Sequence, residues 1–184
     1  MAETMNALDL LARDHREVED LFTQYEATTD TERKTEIAHQ VVHDLAVHGE
    51  IEELRFYPRL REVLDNGDAL ADEAIEEHLA IKNTLNDLDS MTAEDDGFDD
   101  RMRELMAEVR HHVQEEEGEL FTGLRQALDE EELQTLGEKL ERARSMVPTR
   151  PHPGAPTSPG AKAAASPPVA LIDRIRDAIR NAGD

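Results

Sequence analysis

Four histidines and two glutamates recur in this chain at spacings suited to metal chemistry. HGEIE at 48–52 sets His48 four residues ahead of Glu52, and HVQEE at 112–116 sets His112 four ahead of Glu116. On a helix of about 3.6 residues per turn such positions point nearly the same way, so each pair presents an imidazole beside a carboxylate. His15 and His78 sit on apolar stripes of their own. His15 to His48 is 33 residues and His78 to His112 is 34, while His15 to His78 is 63 and His48 to His112 is 64. The register extends beyond them, with HGEIEELRFY at 48–57 matching HVQEEEGELF at 112–121. Two unpaired carboxylates in an apolar interior are expensive, and their repulsion raises at least one pKa. Divalent cations remove that cost. Imidazole with carboxylate suits iron, zinc or manganese better than calcium, which prefers all-oxygen cages. Six donors for two ions leave open positions for a small molecule, so His15, His48, Glu52, His78, His112 and Glu116 are read as a dinuclear site.

Such a site needs four helices that bring their histidines to one level. Apolar residues recurring at three and four predict helices over about 5–27, 32–64, 69–90 and 96–127, each with one of the four histidines on its inner stripe. Asp65-Asn66-Gly67-Asp68 predicts a turn, and Thr92 with Asp95 the start of a cap. Short connections then imply an all-α, antiparallel up-down-up-down four-helix bundle. A shorter fifth helix is expected over 130–146, after Asp129 and before Pro148. The expected organisation is a bundle with its fifth helix over 1–147, a Pro/Ala/Ser-rich linker over 148–168 and a C-terminal amphipathic helix over 169–184. That last helix is expected to dock on the bundle or on a second subunit.

The remaining histidines serve as controls. His39 and His43 also form an HxxxH spacing, but at about 180° and 220° from His48 they belong on the wet face, and His111 lies about 100° from His112. His152 falls in the linker. Gly49 is unusual, because a glycine inside a helix costs about 1 kcal/mol against alanine. It lies toward the interior and its counterpart in the repeat is Val113. It is expected to leave space beside the metals for close helix packing or for a small ligand. Pro58 lacks a helical N–H and is expected to kink the second helix just beyond Glu52. Tyr57 lies four residues after Glu53 rather than Glu52, so ordinary packing at the bend is the favoured reading of it.

Composition narrows the function further. The chain contains no cysteine, which excludes disulfides, Cys-ligated zinc and thiol catalysis. Net charge is −23. Residues 145–184 carry five basic and three acidic side chains, so the first 144 residues hold −25. So acidic a body repels phosphate backbones, and no nucleic-acid partner is expected. MAETMNALDLLARDH lacks the pattern of a secretory signal, and no apolar run approaches 18 residues, so no membrane span is expected and the cytoplasm is the default compartment. A monomer or weak homodimer is expected.

DH at 14–15, HxxxEExxxYP at 48–58, EEH ending at His78 and HxxxEExxxF at 112–121 together resemble the haemerythrin-like, or HHE cation-binding, family over about residues 8–124. The Pro-rich tail with its terminal helix resembles an extension of actinobacterial members. The resemblance implies a non-haem, oxo- or hydroxo-bridged di-iron centre, with iron preferred to manganese or zinc and both glutamates bridging. It also implies chemistry with O2, NO or hydrogen peroxide, or iron sensing. Oxygen-carrying members place a second histidine four residues after the one on the third helix; here that position is Lys82. This departure argues against reversible oxygen transport, unless Lys82 points out of the helix seam. The leading expectation is a di-iron protein that decomposes peroxide or binds O2 or NO. A non-enzymatic iron or oxygen sensor is the alternative, and a metal-free acidic interaction module the third reading.

Overall fold

The chain folds as an all-α bundle, seen in a computed structural model that describes residues 5–154, 169–174 and 177. The helices are α1 (Ala7–Ala27), α2 (Thr31–Ile51), α3 (Tyr57–Val63), α4 (Gly67–Leu88), α5 (Phe98–Glu115), α6 (Phe121–Ala127) and α7 (Glu130–Arg144). Among the described residues none is in a strand, and no helix is long and apolar enough to cross a membrane. Side chains close the helix starts. Asn6 accepts from the Asp9 N–H at 2.9 Å and Asp30 from the Arg33 N–H at 2.7 Å. Asp129 and Glu132 form a reciprocal capping box at the start of α7. Thr92 and Asp95 form a turn, and the N-cap of α5 is Gly97 with φ +86°.

The long second and fourth helices foreseen in the sequence are each interrupted. α2 and α3 are joined by one π-helical turn, Glu52–Phe56, and α5 and α6 by another, Glu116–Leu120. In each the backbone N–H of the next residue, Tyr57 or Phe121, reaches five residues back to the carbonyl of Glu52 or Glu116. The proline explanation of the bend therefore needs correcting. Two residues beyond the second π turn stands Thr122, where the first is followed by Pro58. What the two turns share is a pair of glutamates, Glu52-Glu53 and Glu116-Glu117, at their start.

α1 packs on α2, α4 on α5, and α2 also on α4, while α7 lies against α1 and the first π turn. The apolar interior falls into two clusters. One holds Leu8, Leu11, Ile51, Phe56, Leu60, Leu124 and Leu140, and the other Phe22, Ile37, Val41, Leu85, Phe98 and Met102. After α7 the chain stays on the bundle. Arg150 donates to both oxygens of Asp89 at 2.7 Å and to Asp177 at 2.9 Å. His152, placed in the linker by the sequence, is half-buried and bonded at 2.9 Å to the fully buried Asp173. Of the expected linker over 148–168, residues 155–168 lie outside the described residues, as does most of the terminal helix beyond residue 174.

The turn between α3 and α4 sets how closely those helices cross. A Cβ on Gly67 would stand 2.3 Å from the Leu60 carbonyl oxygen and 2.9 Å from the Arg61 Cα, both backbone atoms. Gly67→Ala is expected to force the helices apart and destabilise the protein by about 1–3 kcal/mol, read as a lower thermal midpoint by circular dichroism. An unchanged midpoint would mean that the crossing can relax.

Candidate metal centre

His15 comes from α1, His48 from α2, His78 from α4 and His112 from α5, while Glu52 and Glu116 open the two π turns. All six are buried, with Glu52 at 0% and Glu116 at 1% exposure. The imidazoles meet in two facing pairs. His15 Nε2 is 3.1 Å from His48 Nε2, and His78 Nε2 is 3.1 Å from His112 Nε2. Glu52 lies between the pairs, one oxygen 3.0 Å from His48 Nε2 and the other 3.4 Å from His78 Nε2. Glu116 belongs with the first pair, its Oε2 3.3 Å from His15 Nε2. Donor atoms of His15, His48, Glu52 and Glu116 fall within 4.8 Å of one another, as do those of Glu52, His78 and His112. The six residues singled out by spacing are thus brought together, and of the two glutamates only Glu52 reaches both groups.

Behind every histidine stands a carboxylate. His15 Nδ1 bonds Glu117 at 2.7 Å, His48 Nδ1 faces Asp14 at 3.4 Å, His78 Nδ1 bonds Glu53 at 3.1 Å, and His112 Nδ1 bonds Glu77 at 2.7 Å. A carboxylate accepts, so each ring places a proton on Nδ1 toward it and turns Nε2 inward, where it is a donor of electrons whenever it carries no proton of its own. That is the outer arrangement metal-binding histidines use. These four acids were missed in the sequence, although each is adjacent to one of the six inner residues. Asp14 and Glu77 precede His15 and His78, and Glu53 and Glu117 follow Glu52 and Glu116, in the same 63–64 repeat. The repeat therefore covers ten positions rather than six.

The charges show what the cluster lacks. Both oxygens of Glu52 and Oε2 of Glu116 are buried without a hydrogen-bond partner among the described residues. Burial opposes ionisation of Glu116, yet His15 and His112 hold its carboxyl down at about 2. Burial likewise opposes the charge on His48, but Glu52 and Asp14 push it up to about 10. His112 is also raised against the effect of burial, by Glu77 and Glu116. At His78 burial prevails and the pKa falls. Asp14, opposed by burial, is held well below the carboxylate range by His48 and Arg144. Protons on imidazole thus stand where cations would balance the carboxylates. The donor set fits divalent metal ions, because bare buried carboxylate oxygens and inward imidazole nitrogens are what such ions satisfy.

Two further residues lie at the cluster: Tyr57, read from spacing as packing, and Lys82, whose direction the spacing left open. The Tyr57 hydroxyl is 3.0 Å from His78 Nε2 and 3.4 Å from Glu116 Oε1. With the His78 proton on Nδ1, the hydroxyl donates to Nε2. The π turn explains the error: it brings the residue five after Glu52, not four, onto the inner face. Burial and the carboxylates Glu52 and Glu116 push the Tyr57 phenol well above its ordinary value, so it keeps its proton. Its counterpart Phe121 has no hydroxyl and stacks on His15, centroids 6.1 Å apart. Lys82 does not point out of the seam. It is buried and donates to Glu50 at 2.7 Å and to Glu53 at 2.8 Å, tying it to His78. Of the control histidines, His43 and His111 are exposed and His39 is half-buried.

Above the histidines a cavity offers about 30 Å³ to the centre of a water-sized sphere. Its wall is largely apolar, with Val18, Leu45, Ile81, Leu85, Val109 and Val113 beside the histidines, Gly49 and Lys82. That space suits one or two water-sized molecules.

The family model described as Hemerythrin HHE cation binding domain matches residues 6–124. A hemerythrin-like protein of Schizosaccharomyces pombe is 32% identical over 170 residues, covering 92% of this chain and 84% of that protein. A DNA nickase of Nostoc sp. is 31% identical over 148 residues, covering 80% of this chain but only 42% of that protein. In fold, the chain resembles the crystal structure of a hemerythrin HHE cation binding domain-containing protein from Mycobacterium kansasii. The TM-score is 0.65 at 23% identity, covering 76% of this chain and 85% of that one.

Gly49 lets α2 approach α4 at the cavity wall. A Cβ there would touch His78 Nδ1 at 3.4 Å, an ordinary contact, whereas longer branches would press on the ring. Gly49→Ala should melt at or above the parent, since alanine favours the helix by up to about 1 kcal/mol. Gly49→Val should lose about 1–3 kcal/mol by overpacking and bind metal less completely, as checked by thermal melting and metal analysis. Equal behaviour of the two variants would show that the ring moves freely.

Proposed function

This chain belongs to the hemerythrin HHE cation-binding family, and from that premise we propose that it holds two iron ions on His15, His48, Glu52, His78, His112 and Glu116 and acts on hydrogen peroxide, O2 or NO. The observation that carries the reading is Glu52, wholly buried, reaching both histidine pairs, and without a hydrogen-bond partner at either oxygen. When bound, an iron pair supplies redox equivalents and open coordination positions for a small ligand.

The chain's own groups prepare the pocket for such a ligand. Val18, Leu45, Ile81, Leu85, Val109 and Val113 keep bulk water from the histidines and favour small, neutral molecules in the cavity. Lys82 keeps a positive charge at that wall, balanced by Glu50 and Glu53, and so favours a ligand that gains negative charge as it reacts. Tyr57 holds a proton beside His78 and close to Glu116, in one half of the site only. The carboxylates behind the rings fix their orientation and raise the basicity of each Nε2.

Anaerobic loading of the metal-free chain with ferrous iron is expected to give two ions per chain, and His48→Ala fewer. Glu53→Gln removes the negative charge behind His78 and should weaken metal affinity about 10–100-fold with the fold retained. Less than one ion per chain, with the melting point unchanged in His48→Ala, would leave a metal-free acidic module instead. Peroxide added to the loaded protein should evolve oxygen faster than free iron does.

A second reading, a non-enzymatic sensor, is favoured by Arg144, which joins α7 to Asp14 and so to His48, and whose carbonyl accepts from Arg174 in the C-terminal segment. On that reading metal loading raises the melting point and protects the tail from proteolysis, with no peroxide turnover.

A further inference from the structure

A second cluster of metal-binding side chains lies on the surface between α4 and α5. We propose that Glu77, His111 and Glu115 form a peripheral site for a divalent transition-metal ion, where ions wait before passing to the buried donors. One donor atom from each of the three falls within 4.8 Å of the others. His111 Nε2 is 3.4 Å from Glu115 Oε1, one turn along α5, and 3.5 Å from Glu77 Oε1 across on α4. A chelate spanning two packed helices is held at its width by the bundle. One imidazole with two carboxylates selects zinc, ferrous iron or manganese over magnesium or calcium.

Glu77 connects the surface to the interior. Its Oε2 bonds His112 Nδ1 at 2.7 Å while Oε1 faces His111, so an ion outside would share a carboxylate with the ring inside. A groove at this seam is lined by Glu73, Glu77, Glu115 and Glu119, with His112 and Glu116 along the same wall. Glu116, 1% exposed, lines this groove and turns its Oε2 to His15 Nε2 at 3.3 Å, so one side chain borders both the groove and the buried donors. Four carboxylates at its rim concentrate cations locally. The site itself needs only these surface residues, whereas the waiting role rests on the buried donors being a metal centre.

The test uses the full metal-free chain, Zn2+ as the probe, and the variant His111→Ala/Glu115→Gln, whose changes are on the exposed face of α5 and spare Glu77. Native mass spectrometry and calorimetry should count three ions per wild-type chain and two per variant chain. Stopped-flow loading of the buried pair should be severalfold slower in the variant. Equal stoichiometry in the two proteins overturns the site, and equal loading rates overturn its waiting role. A wild-type chain that binds one ion, lost in the variant, would support the peripheral site while sinking the buried centre.

Discussion

Two carboxylates carried into the apolar middle of a helical bundle, one of them lacking any hydrogen-bond partner among the described residues, set the terms for everything around them. Glu52 and Glu116 cannot be ionised there unless positive charge is held against them. His48 and His112 supply part of that charge as protons in the metal-free chain, and divalent ions would supply it better. The imidazoles in turn need their outer nitrogens satisfied, which Asp14, Glu53, Glu77 and Glu117 do. Some of those acids are themselves balanced further out, Asp14 by Arg144 and Glu53 by Lys82. The polar layer is thus built in shells of alternating sign, between two apolar clusters that hold the helices at fixed depth.

The pseudo-twofold repeat makes this economical and also exposes where it breaks. Inner and outer residues obey the 63–64 spacing, and both π turns recur with it. Tyr57 against Phe121, Gly49 against Val113 and Glu50 against Gln114 do not. Two of these differences, the Tyr57 hydroxyl and the Glu50–Lys82 pair, fall around His78, and Gly49 abuts the same ring. One half of the centre therefore has a proton donor, a buried cation and extra room that the other half lacks. A small molecule in the cavity would meet unlike surroundings on its two sides.

Much of this could be read along the chain. The helical period alone put His48 with Glu52 and His112 with Glu116, because residues one turn apart share a face whatever the tertiary structure does. One histidine per apolar stripe, repeated at 63–64, was enough to predict a four-helix bundle with six converging donors. The lack of cysteine removed disulfides and thiol chemistry.

The tertiary structure decided what depends on partners from other helices or on a departure from the regular period. That Asp14 serves His48 rather than His15, and Glu77 serves His112 rather than His78, is set by neighbouring helices, since an adjacent residue on the same helix points about 100° away. Lys82 was ambiguous for the same reason: the regular period places it near the seam, and only Glu50 and Glu53 across that seam hold it inside. Tyr57 was misjudged because a π turn shifts the register by one residue, and an extrapolated helix of constant pitch carries no sign of that. Spacing fixes which side chains can meet along one helix. Which of them bond, and on whose behalf, is fixed by how the helices pack and by where their hydrogen-bonding slips to five.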